Sequence, residues 1–179
     1  SVGPAAGFLL CFGSLFINDG KSVVVMLIGF LLMFVIAFFI GIFNAFLIRY
    51  AKFTPIAATL SLYIGLIGFS YLLRPAPDGY INGDVTNLLL AKIGPIPYVF
   101  ILLVIISISM ELALRRSFWG LRLRASGSNE ESARRLGVNI NRTIFGAYAA
   151  STLFAAIGAI MLMSILGVGD AAQGSTYTL

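Results

Sequence analysis

Apolar residues fall in long uncharged runs, separated by short polar clusters. Val2–Ile17 is apolar and carries Gly3, Pro4, Gly7 and Gly13. A polar turn follows, Asn18-Asp19-Gly20-Lys21, and then the uncharged run Val23–Ile48. Arg49-Tyr50-Ala51-Lys52 separates it from a third run, Thr54–Leu73. Residues 74–97 are polar and broken by Pro75, Pro77, Gly79, Gly83, Gly94, Pro95 and Pro97. Tyr98–Leu114 is apolar apart from Glu111, residues 115–142 are polar, and Thr143–Gly169 is again uncharged before the polar end 170–179. A bilayer core is crossed by about 20 apolar residues in a helix. The pattern therefore predicts an all-α, polytopic transmembrane helix bundle with about five spans, the first of them short. Residues 1–179 read as part of a single transmembrane domain.

Composition removes the soluble alternative. The chain of 179 residues is 59% hydrophobic and 11% charged, against about 45–50% and about 25% in soluble domains. The few charges set an orientation. Alternate crossings put Arg49, Lys52, Arg115, Arg116, Arg122, Arg124, Arg134, Arg135 and Arg142 on one side, and only Lys21, Arg74 and Lys92 on the other. By the positive-inside rule, loops 49–53 and 115–142 are cytoplasmic. The basic balance of +5 then reflects topology. No basic stripe interleaved with aromatics marks a nucleic-acid partner. The absence of histidine removes histidine-based zinc sites and Ser-His or Cys-His pairs. Cys11 lies in an apolar run and reads as a small hydrophobe in a helix.

Within the spans, small residues suggest a packed bundle, because helices in lipid approach through small side chains. The candidates are Gly3 with Gly7, Gly65 with Gly68, and Ala155, Ala156, Gly158 and Ala159. Thr54, Thr59, Ser61, Tyr63 and Ser70 are read as structural, since Ser and Thr bond their own helix carbonyls. Asn44 is costlier in lipid and is expected to face protein or a polar path, or to sit near the interface. Glu111 and Arg115 share a helix face and read as a pair snorkelling at the cytoplasmic end, in preference to a proton relay. Pro55 begins a span, and Asp84–Lys92 is expected to form a short interfacial helix.

The most structured polar stretch is 126–140. Ser128 and Glu131 have the spacing of a capping box. Glu130 and Glu131 suit the first turn of a helix and Arg134 and Arg135 its last turn. The pairs Glu130–Arg134 and Glu131–Arg135 are spaced i, i+4, and Gly137 is a C-terminal stop. A helix over 128–136 follows. It is too short to be stable alone, and Ala133 and Leu136 give it a small apolar face. We read it as a docking element in the largest cytoplasmic loop.

Here the chain resembles a known family. Gly127-Ser128-Asn129 through Ala133, then Gly137-Val138-Asn139-Ile140, resembles the G-x-N-x-x-A-A-x-x-x-G-I-x-V segment of ribose-type sugar permeases, the membrane subunits of bacterial ABC importers. Ser1-Val2-Gly3 resembles the family's S-V-G, Pro55 with Thr59-Leu60 its P-x-x-x-T-L, and Gly120, Ala125 and Gly127 the approach to the loop. Leu121 stands where the family usually has arginine, Ser132 replaces the first alanine of the pair, Pro4 follows S-V-G where a small residue is common, and Gly174–Leu179 only loosely resembles G-Y-E-L. These departures leave the sugar open.

The resemblance implies a permease subunit of an ATP-driven importer in the inner membrane of a bacterium, with nucleosides or branched-chain amino acids as the alternative cargo. It implies pairing with a second permease subunit, cytoplasmic ABC ATPase subunits and an extracytoplasmic substrate-binding protein. No cofactor is implied, and ATP hydrolysis belongs to the separate ATPase. The coupling residues would be Ser128, Asn129, Glu130, Glu131, Ala133, Arg134, Arg135, Leu136 and Gly137, and no substrate-path residue is assigned. The beginning at Ser1 inside an apolar stretch and the end at Leu179 suggest a segment of a longer permease.

Overall fold

The computed structural model describes residues 2–18, 20–93 and 96–176. Ser1, Asp19, Gly94, Pro95, Tyr177, Thr178 and Leu179 lie outside the described residues. With them lie the start of S-V-G, part of the first polar turn and the end of the G-Y-E-L likeness.

All five apolar runs are helical: α1 (Val2–Gly13), α2 (Val23–Arg49), α3 (Pro55–Leu73), α5 (Tyr98–Arg116) and α8 (Ile140–Leu166). Four of them, α2, α3, α5 and α8, are long and apolar enough to cross a membrane. The first, α1, has 12 residues and lies at the centre of the bundle. Pro4, Ala5, Ala6, Gly7, Leu9, Leu10, Cys11 and Gly13 are all buried, and α1 touches α2, α3, α8 and α9 (Gln173–Thr176). The small residues explain the closeness. A Cβ on Gly7 would stand 2.4 Å from the Gly174 Cα, so the glycine at the second position of the G-x-x-x-G spacing lets two backbones meet.

The largest helix pair is α2 with α8. On α2 the buried residues Met26, Gly29, Met33, Ala37, Gly41, Asn44 and Ala45 recur every three or four positions, the spacing of one helix face. They meet an equally small-residue face of α8 that includes Ala149, Thr152, Ala156, Ala159 and Met163. Elsewhere the small residues do less. Gly65, Gly68 and Gly158 have open space where a side chain would stand, so their predicted part in packing is not realised. Helix α5 buries no residue and rests at its ends against α4 (Gly83–Leu90) and α6 (Phe118–Ser128).

Local signals account for the ends. Thr54 caps α3, its hydroxyl accepting from Ala57 N, and Pro55 occupies the first turn. Thr59 and Ser70 bond their own helix carbonyls, Pro55 O at 2.9 Å and Leu66 O at 2.7 Å, as the sequence suggested. Cys11 is buried in α1. The short helix expected after the 74–82 segment forms as α4 and begins at the cap Asn82, whose Oδ1 accepts from Asp84 N and Val85 N. It ends two residues before Lys92, which instead opens a two-residue strand, β1 (Lys92–Ile93), paired antiparallel with β2 (Ile96–Pro97).

The far ends of α1, α3 and α8 are laced by the 74–82 segment. Asp78 and Gly169 exchange backbone hydrogen bonds of 3.1 and 3.0 Å, and Ile81 N donates to Gly167 O at 2.9 Å. Arg74, with a side chain only 14% exposed, donates to Ser14 Oγ at 3.2 Å, Ser14 O at 3.3 Å and Asp78 Oδ2 at 3.3 Å.

Candidate functional site

The polar segment 115–142 holds two helices where one was expected. Ser117 caps α6 through its hydroxyl, which accepts from Gly120 N at 3.2 Å. Gly120 is needed at the α5–α6 corner, because a Cβ there would stand within 1.9 Å of Leu114 O. Arg124 folds back and donates to Arg115 O at 3.1 Å, satisfying a carbonyl left free at the end of α5.

The docking helix exists, displaced from its expected start. It is α7 (Glu130–Arg135), six residues long and about 9 Å at 1.5 Å per residue. The capping-box reading is corrected. Ser128 is the last residue of α6, its hydroxyl bonded to Ala125 O at 3.1 Å, and the cap of α7 is Asn129, whose Oδ1 accepts from Ser132 N at 3.0 Å. Asparagine is at least as good a cap as serine, and here the preceding helix has already taken Ser128. The stop at Gly137 holds. Its φ is +80°, Gly137 N donates to Arg134 O and Val138 N to Ala133 O. That double closure is a Schellman motif, which demands a left-handed residue after the cap. Both i, i+4 pairs form, Glu131–Arg135 at 2.7 Å and the looser Glu130–Arg134 at 3.8 Å.

A second correction concerns the apolar face. Ala133 is 1% exposed and Leu136 is 81% exposed. Ala133 is covered by its own chain, whereas Leu136 is open to solvent. Glu131, Ser132, Arg134, Arg135 and Leu136 are all exposed.

The structure adds a residue that sequence reading did not select. Arg49, at the end of α2, donates from Nη1 to Glu130 Oε1 at 2.6 Å and from Nε to Asn141 Oδ1 at 2.9 Å. One guanidinium thus joins α2, α7 and the first turn of α8. Beside it, Tyr50 stacks on Phe46 at 5.4 Å and meets Phe145 of α8 edge-on at 6.1 Å. The α8 start is itself capped by Asn139, accepting from Arg142 N at 3.1 Å. A cleft of about 570 Å³ opens between Ile48, Arg49, Lys52, Glu130, Glu131 and Arg134. Sequence separations of 81 and 92 residues hide these contacts from any local pattern. The only sequence signal was that loops 49–53 and 115–142 share a side, and these contacts bring them to the same end of the bundle.

Glu111 and Arg115 pair on an exposed face of α5, as their i, i+4 spacing suggested. Asn44 is 2% exposed and faces protein, and its Oδ1 has no hydrogen-bond partner. Among the described residues no group of acidic, cysteine or histidine side chains could hold a metal ion.

A family model described as the permease component of branched-chain amino acid transport systems matches residues 2–179. The chain is 36% identical over 85 residues to the xylose transport system permease protein of Escherichia coli, covering 48% of this chain and 21% of that protein. It is 32% identical over 152 residues to an autoinducer 2 import system permease protein of Photorhabdus temperata, covering 78% of this chain and 44% of that one. It is 27% identical over 148 residues to the galactose/methyl galactoside import permease protein of Haemophilus influenzae, again covering 78% and 44%. The chain thus spans less than half the length of these relatives. No solved structure matches it. With apolar helices long enough to span and a match over nearly its whole length, the chain is a multi-pass inner-membrane protein that belongs to the family of ABC transporter permeases described as the branched-chain amino acid transport permease component.

Proposed function

We propose that the chain is part of a permease subunit of an ATP-driven importer for a simple sugar, and that α7 is the element a cytoplasmic ATPase subunit grips. The observation that carries this reading is α7 itself. It is a short helix closed at both ends by Asn129 and Gly137, with Ala133 buried and Glu131, Arg135 and Leu136 left exposed. A helix of six residues has no stability of its own, so a rigid one must be held, and its exposed side is free for a partner. Glu131, Arg135 and Leu136 would make the contacts. Ser128, Asn129, Glu130, Ala133, Arg134 and Gly137 would shape and seat the helix.

In this reading the protein forms the path with a second permease subunit, receives cargo from an extracytoplasmic binding protein, and breaks no bond itself. The names of the relatives favour a sugar or a sugar-like signal as cargo. The family description favours a branched-chain amino acid as a second reading. Purification of the native complex from membranes in mild detergent tests the proposal. An ABC ATPase is expected to co-purify, and a Leu136→Asp, Arg135→Glu double variant is expected to lose it while the permease still folds. Retention of the ATPase by that variant would sink the assignment of α7. Calorimetry of the co-purified binding protein with galactose, xylose and leucine separates the two cargoes.

A further inference from the structure

We infer that Arg49 is the positioning residue through which a push on α7 reaches the membrane, locking α7, the end of α2 and the start of α8 into one moving unit. The inference rests on the proposed docking role of α7 and adds to it how the load is passed on.

Besides its covalent ends and its close approach to α6 and α8, α7 is held by the buried methyl of Ala133 and by Glu130. A single small methyl resists separation but offers little against sliding. The bond from Arg49 to Glu130 is charge-assisted and 2.6 Å long, and it is directional. The same guanidinium holds Asn141 through a different nitrogen, so it cannot follow Glu130 without pulling on α8. A planar group with donors fixed in a fork serves two acceptors at once in a way an ammonium does not. Its surroundings restrain it further, since the Arg49 side chain is 18% exposed. Below it, α2 and α8 are locked by backbone-close packing at Gly41. By contrast α5 buries nothing, which makes it the helix against which such a unit would shift.

The test uses the full permease–ATPase complex in a Cys11→Ala background, with spin labels at Ser132→Cys on α7 and Phe39→Cys on α2, both exposed positions. Pulsed electron resonance reads their separation without nucleotide and after trapping with ADP and vanadate. With Arg49 present, the distribution should be narrow and the same in both states, while a Phe39–Leu112 label pair, α2 against α5, should shift on trapping. Arg49→Ala should broaden the Ser132–Phe39 distribution and abolish the Phe39–Leu112 shift, with the ATPase still bound. Arg49→Lys should give an intermediate result, and the swap Arg49→Glu with Glu130→Arg should narrow the Ser132–Phe39 distribution again. A simple loss of folding would not be rescued by the swap. An Arg49→Ala protein indistinguishable from wild type overturns the inference and leaves the docking role standing. Failure of the wild-type protein to retain any ATPase overturns both.

Discussion

Gly41 offers the sharpest test of how the bundle is held. A Cβ at this position would stand 2.4 Å from Thr152 Oγ1, 2.6 Å from Tyr148 O and 2.7 Å from Ala149 Cα. Thr152 can rotate away, but Tyr148 O and Ala149 Cα are backbone and yield only if α8 retreats. Restoring ordinary contact would move the helices apart by about 1 Å, a gap that forfeits a quarter to a half of each van der Waals well of about 0.1–0.2 kcal/mol. For on the order of 40 atom pairs along the seam, the loss is about 2 kcal/mol, within the range of about 1–3 kcal/mol for overpacked cores. No hydrophobic force draws helices together in lipid to compensate. Gly68→Ala is the internal control: it also adds one methyl to a helical glycine, but there the space is open. Helix propensity favours alanine by about 1 kcal/mol. That gain is common to both sites and cancels, so the two variants should separate by about 2 kcal/mol in reversible unfolding in bicelles. Equal stability of Gly41→Ala and Gly68→Ala would refute close backbone packing as the basis of the α2–α8 pair.

The cap of α7 separates two neighbouring residues: Asn129→Ala should destabilise the helix by about 1 kcal/mol, raising amide exchange at Ser132 and Ala133, whereas Ser128→Ala should leave that exchange unchanged. Asn44→Leu should leave stability unchanged or raise it by about 1 kcal/mol, because it removes a buried acceptor without a partner; thermal unfolding in detergent reads this, and a clear loss would mean that Asn44 has a bonding role. Arg74→Met should cost about 1–3 kcal/mol by leaving the Ser14 carbonyl without its donor, and limited proteolysis should then cut within 75–82, where the wild-type segment resists.

The spans were legible because their signal is local and redundant. Each needs only an uncharged run of sufficient length, and α2, α3, α5 and α8 fall on the predicted runs with small boundary shifts. The role of α1 was not legible from its run. Its 12 residues look like a short span, and only the neighbours that bury it show that it is the core. Glycine was ambiguous for the same reason. Gly7 and Gly41 have backbone or a hydroxyl where a methyl would go, whereas Gly65 and Gly68 face open space, and nothing in their local sequence separates the two kinds. In the polar segment, the charge pattern of Glu130 to Arg135 and the stop at Gly137 located α7 within two residues. Its start was misread because Ser128 and Asn129 are both good caps, and α6, which claims Ser128, carries no clear apolar periodicity. Arg49 was beyond reach, since a basic residue at the cytoplasmic end of a span already has a sufficient explanation in the positive-inside rule.

The two ends of the bundle are held by different chemistry, and that difference bears on which end can move. At the outer end, backbone groups of Asp78, Ile81, Gly167 and Gly169 bond directly to one another, and Arg74 adds three more bonds from a largely buried side chain. The backbone bonds have no rotamers to change, and where a buried group loses its partner the cost is about 1–3 kcal/mol. At the inner end, the Arg49 guanidinium ties α7 to α2 and α8 beside an open cleft, where a partly exposed ion pair contributes about 1 kcal/mol. A bundle built this way resists change at the outer strap and leaves the inner ends of α2 and α8, held together with α7 by Arg49, as the part that can shift. An ATPase pulling on α7 would find its low-cost motion in the inner ends of α2 and α8 sliding past α5, with the strap at residues 78–82 acting as the fixed end of the lever.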